Sequence, residues 1–261
     1  MISLTSAEIN AWVVAFFFPL TRVLAVLVSA PPFNNPALTV RVRLILGLAI
    51  TAAIAPALPP MPAVDPGSAA GLLILAQQML VGLAMGFALR IVLAAVDLAG
   101  SMISLQMGLG FASSYDPLTA GQTGVISEFL GLLALLVFMA INGHLMVIAT
   151  LIHSFTAIPV GTAQLAAGSW WNLASSGVII FSSGLLLALP ILVALLITNL
   201  ALAILSRAAP QLNLIAIGFP LTITLGFAAL MFGLSYLSQP MQQLFEYGLQ
   251  LMLRNFSSTA G

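Results

Sequence analysis

Residues 175–205 read SSGVIIFSSGLLLALPILVALLITNLALAIL, a run without a single charged side chain. Crossing the hydrocarbon core of a bilayer as a helix takes about 20 apolar residues, and this run exceeds that length. Pro190 stands near its middle. Proline removes a backbone donor and crowds the preceding turn, so a kink or a hairpin is expected there.

Working outward, five further apolar runs approach or exceed the same length: residues 9–30, 40–58, 71–96, 125–152 and 212–237. Turn chemistry separates them. The breaks are Pro31-Pro32-Phe33-Asn34-Asn35-Pro36, Pro59-Pro60-Met61-Pro62, a Gly/Ser/Asp/Pro stretch over 108–124, residues 158–172, and Arg207-Ala208-Ala209-Pro210. The run 125–152 is too long for one straight crossing and carries Gly143-His144 late in it, and Pro220 predicts a bend in the last run. Broken helices at membrane depth persist only when packed in protein or lining a cavity, a first sign of a chain that lives inside an assembly. The expected fold is an all-α membrane protein of about six apolar helical segments arranged as kinked hairpins. Gly82 and Gly86 form a small-xxx-small ridge for close helix approach, and Gly226 and Gly233 lie two turns apart on one face. The alternative for these glycines is that Gly is simply common in membrane helices.

Composition agrees. Of 261 residues, 61% are hydrophobic and 5% charged, with net charge zero, and the mean hydropathy is +1.19. No water-facing surface of ordinary composition can be built from so few charges. There is no Lys and no basic patch for nucleic acid, no arginine cluster for anionic lipid, and no Cys for disulfides or thiolate metal sites. The first charges are Glu8 and Arg22, so residues 1–30 lack the positive start of a cleaved signal and are expected to be retained. Arg41, Arg43 and Arg207 fall at odd-numbered connections, which favours those on the cytoplasmic side.

Four ionisable residues stand inside apolar runs: Arg22, Arg90, Asp97 and Glu128. Such groups are costly in lipid and need a partner or water. Arg90 and Asp97 share a helix face but stand about 10 Å apart along its axis, so each pairs elsewhere. A proton relay would use such groups; ties between helices or between subunits, or positions at helix ends, are the favoured reading. His144 and His153 are nine positions apart, on opposite faces of an unbroken helix. With no Cys and scattered carboxylates, neither a metal site nor another cofactor is expected. No nucleophile, zinc or P-loop spacing is present, so the chain is not expected to be an enzyme. Gln77-Gln78 lies in the third run and can bond across helices.

The segment Met107-Gly108-Leu109-Gly110-Phe111-Ala112-Ser113-Ser114-Tyr115-Asp116-Pro117 joins two apolar helices. Glycines let its backbone repack, and Met and Phe supply soft apolar bulk able to seal a gap. That suits a gate, and an ordinary re-entrant turn suits it equally.

Several of these residues resemble the FliR family. They are Gly143-His144 followed by Ser154-Phe155-x-x-Ile158-Pro159-x-Gly161, the stretch Arg207-Ala208-Ala209-Pro210-Gln211-Leu212-Asn213 with Ile217-Gly218-Phe219-Pro220-Leu221, and Gln106-Met107-Gly108 to Asp116-Pro117. The resemblance runs over nearly the whole chain and is most specific in 207–221. Gln77-Gln78 departs from it, since an acidic residue is often expected there. The resemblance implies a subunit of the flagellar type III export gate in the bacterial inner membrane and flagellar basal body. It implies FliP-like, FliQ-like and FlhB-like partners and passage of unfolded flagellar proteins. It implies a FliP-like part over 1–172 and a FliQ-like part over 173–261, with 106–124 as a plug built on Met107, Gly108, Gly110, Phe111, Tyr115, Asp116 and Pro117. Assembly contacts are implied at Arg22, Arg90, Asp97, Glu128, Arg207, Pro210, Gln211, Asn213 and Pro220. No nucleotide, cofactor or metal is implied. The competing classes are the injectisome counterpart (SctT-like), a small-solute secondary transporter, whose inverted repeats are not seen here, and an intramembrane enzyme, which lacks a constellation.

Overall fold

The computed structural model describes residues 6–35, 37–110, 124–161, 167–209 and 214–257. Among them every regular element is helical. The helices are α1 Ser6–Ser29, α2 Val40–Ile54 continued by a 3-10 turn Ala55–Ala57, α3 Ala69–Gln106, α4 Val125–Ala140, α5 Gly143–Ala157, α6 Ala167–Ser175, α7 Val178–Ala208 and α8 Leu214–Ser257.

Helix starts follow local chemistry. The Thr39 side chain accepts the backbone N–H of Val42 and caps α2. Ser68 does the same for α3, its Oγ accepting the Gly71 N–H at 3.0 Å, while the Asp65 carboxylate accepts the N–H of Gly67 at 2.9 Å. The fourth apolar run is broken, as its length requires. α4 and α5 meet at a 67° bend, where Asn142 adopts the left-handed conformation with φ 56. Asn tolerates that region better than most residues because its short side chain can bond locally.

Three boundaries differ from the sequence expectation. α3 does not stop near residue 96 but runs on to Gln106, since nothing from Asp97 to Gln106 breaks a helix. α7 is not divided at Pro190: it remains one helix from Val178 to Ala208. α8 likewise continues through Pro220 and Pro240 to Ser257, absorbing the tail. In apolar surroundings a proline deletes one backbone bond, while unravelling the helix would orphan many, so the helix persists. Thr222 and Thr224 donate to the carbonyls of Phe219 and Pro220 beside one of these prolines.

The fold divides into two compact units. The first draws on the described parts of Met1–Ile91, Asn142–Ser176 and Glu246–Gly261, and its core includes Phe18, Val26, Met85, Leu89, Leu151 and Phe155. The second draws on Val92–Ile141 and Gly177–Phe245, with Ile103, Met107, Ile126, Phe138, Leu187 and Ile191 buried. Within it Phe138 meets Phe245 with ring centroids 5.0 Å apart. α7 and α8 form an antiparallel hairpin there: a β-carbon at Gly233 would stand 3.7 Å from Ile191, and one at Gly218 3.8 Å from Leu202.

Among the described residues four helices are long and apolar enough to cross a membrane, and five if the bent α4–α5 pair is one span. Their own chain covers them unevenly. The apolar window of α3 is 61% buried, but that of 170–208 is 28% and that of 218–253 is 22% buried. Phe181, Leu186, Ile197, Leu200 and Ile204 of α7 are all exposed. Lipid or neighbouring chains must cover such a surface, and the location is the membrane.

Candidate functional site

Two places within the fold, and a set of exposed charges, concentrate the chemistry the sequence singled out.

The first place is the entry to the glycine segment. The Leu109 N–H bonds the Ser104 carbonyl and the Gly108 N–H bonds that of Leu105, each at 3.0 Å. With Gly108 at φ 81 this is a Schellman ending of α3, and a residue without a β-carbon is what that position demands. Gly108 is thereby explained by helix termination alone. The preceding Met107 is fully buried. A β-carbon at Gly226 of α8 would come within 2.6 Å of the Met107 side chain, so that glycine is the notch in which the methionine sits. Phe219 lies over Gly108. The chain thus enters the segment from a firmly seated base. Gly110 is the last described residue before it; Phe111, Tyr115, Asp116 and Pro117 lie outside the described residues.

The second place surrounds Arg22 of α1, which is 0% exposed. Its Nε donates to Gln78 Oε1 of α3 at 2.8 Å. Its Nη1 donates to the Ser154 carbonyl at 2.9 Å and to Ser154 Oγ at 3.1 Å, and its Nη2 to the Ile158 carbonyl at 2.9 Å. The guanidinium carbon stands 4.2 Å from the centroid of the Phe155 ring. Ser154 and Ile158 close α5, so the cation binds carbonyls at the negative end of a helix dipole and an aromatic face. No carboxylate pairs with it among the described residues. Arg22 is therefore a tie between helices of its own chain rather than a group presented outward. Beside it Gln78 Nε2 is buried without an acceptor. The expected small-residue ridge serves the same junction: a β-carbon at Gly82 would meet the Arg22 carbonyl at 2.5 Å, and one at Gly86 would strike Ser29 and Ala30.

Four further charges face outward. Arg90, Asp97, Glu128 and Arg207 are exposed. Glu128 occupies the first turn of α4 and Arg207 the last turn of α7, each favourable to its helix dipole. Arg90 and Asp97 have no hydrogen bond or ion pair from their side chains to any described residue. Near Asp97 the backbone is pinned instead: Ser127 Oγ donates to the Asp97 carbonyl at 3.1 Å and lies 3.1 Å from Ser101 Oγ, where Gly100 lets α3 approach Ser127. Pro220 is exposed on α8; Pro210, Gln211 and Asn213 lie outside the described residues. His144 is half-buried with its Nδ1 unpartnered, and His153 is exposed. Among the described residues no three His, Asp or Glu gather as metal ligands. Reading the sequence alone missed that Ser154 and Phe155 hold Arg22; the signal available was a lone cation in one apolar run and a glutamine in another.

Comparisons with known proteins bear on the same span. The family described as bacterial export proteins, family 1, matches residues 13–248. The chain is 41% identical over 230 residues to the flagellar biosynthetic protein FliR of Pectobacterium carotovorum subsp. carotovorum, covering 88% of each. It is 42% identical over 228 residues to the protein of that name from Escherichia coli (strain K12), covering 87% of each. Against the Bacillus subtilis (strain 168) protein of that name identity is 31% over 188 residues, with 71% of this chain and 72% of the relative covered.

Proposed function

The chain belongs to the bacterial export proteins, family 1, and from that premise we propose that it is a structural, non-catalytic subunit of the flagellar export gate, seated in the bacterial inner membrane with FliP-like, FliQ-like and FlhB-like neighbours. The observation that carries this reading is the match along nearly the full chain to relatives named as flagellar biosynthetic proteins. The physical support is the apolar exterior of α7 and α8, which this chain leaves mostly uncovered and sister helices can shelter. The named relatives are flagellar, which favours that branch over the injectisome counterpart, and no observation favours a solute transporter.

Within the gate, residues 106–124 act as the plug. The seated Met107 and the capped end of α3 give the segment a fixed base, and an apolar constriction seals a pore by dewetting while yielding to an unfolded chain. The part over 1–172 is FliP-like and that over 173–261 FliQ-like, a reading supported by the α7–α8 hairpin that makes up most of the second part. Arg90, Asp97, Glu128, Arg207, Pro210, Gln211, Asn213 and Pro220 serve assembly, while Arg22 serves the fold.

The chain should restore swimming to a flagellated bacterium deleted for its own FliR; failure to swim with normal membrane levels of the chain would sink the reading. Deleting residues 108–117 should leave assembly intact and raise the resting conductance of the gate to small ions. Background conductance in that deletion refutes the plug. Exchanging Arg207, Gln211 or Asn213 for Leu should lower incorporation into the complex, and an unchanged complex yield counts against those contacts.

A further inference from the structure

A cavity of about 310 Å³ opens on the surface of the first unit, lined by Leu80, Leu83, Phe87 and Arg90 of α3 and by Trp170 and Leu173 of α6. The α3 members recur at intervals of three and four residues, so they form one stripe running about 15 Å along the helix. The groove is apolar along its length and basic at one end. Leu80, Phe87 and Trp170 are exposed. Arg90 is exposed too, and its side chain bonds to no described residue. A guanidinium in an apolar span needs a polar partner or water; none of the described residues bonds to this one, and the strongest partner for its planar fork is a carboxylate.

We propose that the groove receives an apolar helix of a neighbouring subunit bearing a single Asp or Glu, whose carboxylate pairs with Arg90. This rests on the export-gate reading and deepens it. The groove's shape fits such an occupant: side chains three and four residues apart on one helix face fill the stripe, and the carboxylate falls at its Arg90 end. Arg90 lies about 32 Å from the start of α3 and about 24 Å from its end, well away from both helix ends, where a carboxylate on a helix packed alongside can meet it. The planar fork of arginine donates to that carboxylate through two parallel bonds.

The test uses the full chain in a flagellated host deleted for its own FliR. Swimming is scored, and the gate complex is recovered in detergent through a tag on this chain. Arg90→Glu should lower complex yield about tenfold or more, and Arg90→Lys should lower it less. Motile revertants of Arg90→Glu should carry an Asp or Glu changed to Lys or Arg in an apolar helix of another subunit. That second change should lower the yield when Arg90 is wild type. Leu83→Trp keeps the charge and fills the groove; it should lower the yield as well, and it is decisive where Arg90→Glu reduces the level of the chain itself. Wild-type yield for Arg90→Glu or for Leu83→Trp overturns the proposal. So do revertants that never alter a carboxylate, and so does an Arg90→Glu complex that keeps every subunit but loses bound acidic phospholipid. If the wild-type chain itself fails to restore swimming, the export-gate reading falls; if it succeeds while Arg90→Glu assembles normally, only this pair falls.

Discussion

Placing a carboxylate at position 78 should stabilise this protein, although the site is fully enclosed in an apolar helix. Gln78 Oε1 already accepts from Arg22 Nε at 2.8 Å, and its Nε2 is buried without an acceptor. Gln78→Glu is nearly isosteric. It replaces that stranded donor with an oxygen and sets a negative charge against a guanidinium that has only neutral partners among the described residues. An ion pair at about 4 Å is worth about 4 kcal/mol at an effective dielectric of about 20. Burying the carboxylate costs several kcal/mol, so these two contributions nearly cancel. Relief of the unsatisfied amide, about 1–3 kcal/mol, then decides the sign. The expected net gain is about 1–2 kcal/mol. The assay is thermal unfolding of the detergent-solubilised gate complex, with Gln78→Leu as the comparison; Gln78→Glu should melt above wild type and Gln78→Leu below. A Gln78→Glu complex that melts below wild type refutes the reasoning, because it shows that desolvation outweighs both gains.

Two further outcomes follow from contacts on the same scale. Arg22→Leu should destabilise the protein by about 3–5 kcal/mol, since it strands a buried glutamine and helix-end carbonyls, with Arg22→Lys intermediate; the same melt reads both, and an unchanged Arg22→Leu melt would contradict the tie. Gly226→Val should cost about 1–3 kcal/mol by pushing on Met107. Part of that loss should return in the double variant with Met107→Ala, and strict additivity of the two would deny the contact.

The apolar runs were legible because helices in lipid leave a composition signal that no long-range contact can erase. The break near Gly143 followed from length, and the structure puts the turn at Asn142, the one non-Gly residue with positive φ among those described. Neither Pro190 nor Pro220 bounds a helix, because a proline's local penalty is fixed while the cost of leaving a helix depends on the medium. The end of α3 was misplaced by about ten residues because Asp97 resembles a boundary; the real stop is the left-handed Gly108, whose meaning lies in its backbone. Of the partners of Arg22 only Gln78 left a trace, as a glutamine inside an apolar run. Ser154 lies 132 positions away in sequence, and no local pattern links a cation to carbonyls at the end of a distant helix.

Charges in an apolar chain sort by how each is answered. Arg22 is answered inside the fold by carbonyls, a serine and an aromatic face. Glu128 and Arg207 are answered by the helix ends they occupy. Arg90 and Asp97, one of each sign and both on α3, are answered by nothing within the described residues. Random placement of charges would be removed by any selection for membrane stability, since each unpaired group costs several kcal/mol in hydrocarbon. A cation and an anion left open on the most buried helix therefore carry information about what lies outside the chain. Their opposite signs argue further against a uniformly acidic lipid layer as what answers them, because a layer of one sign answers only one of them.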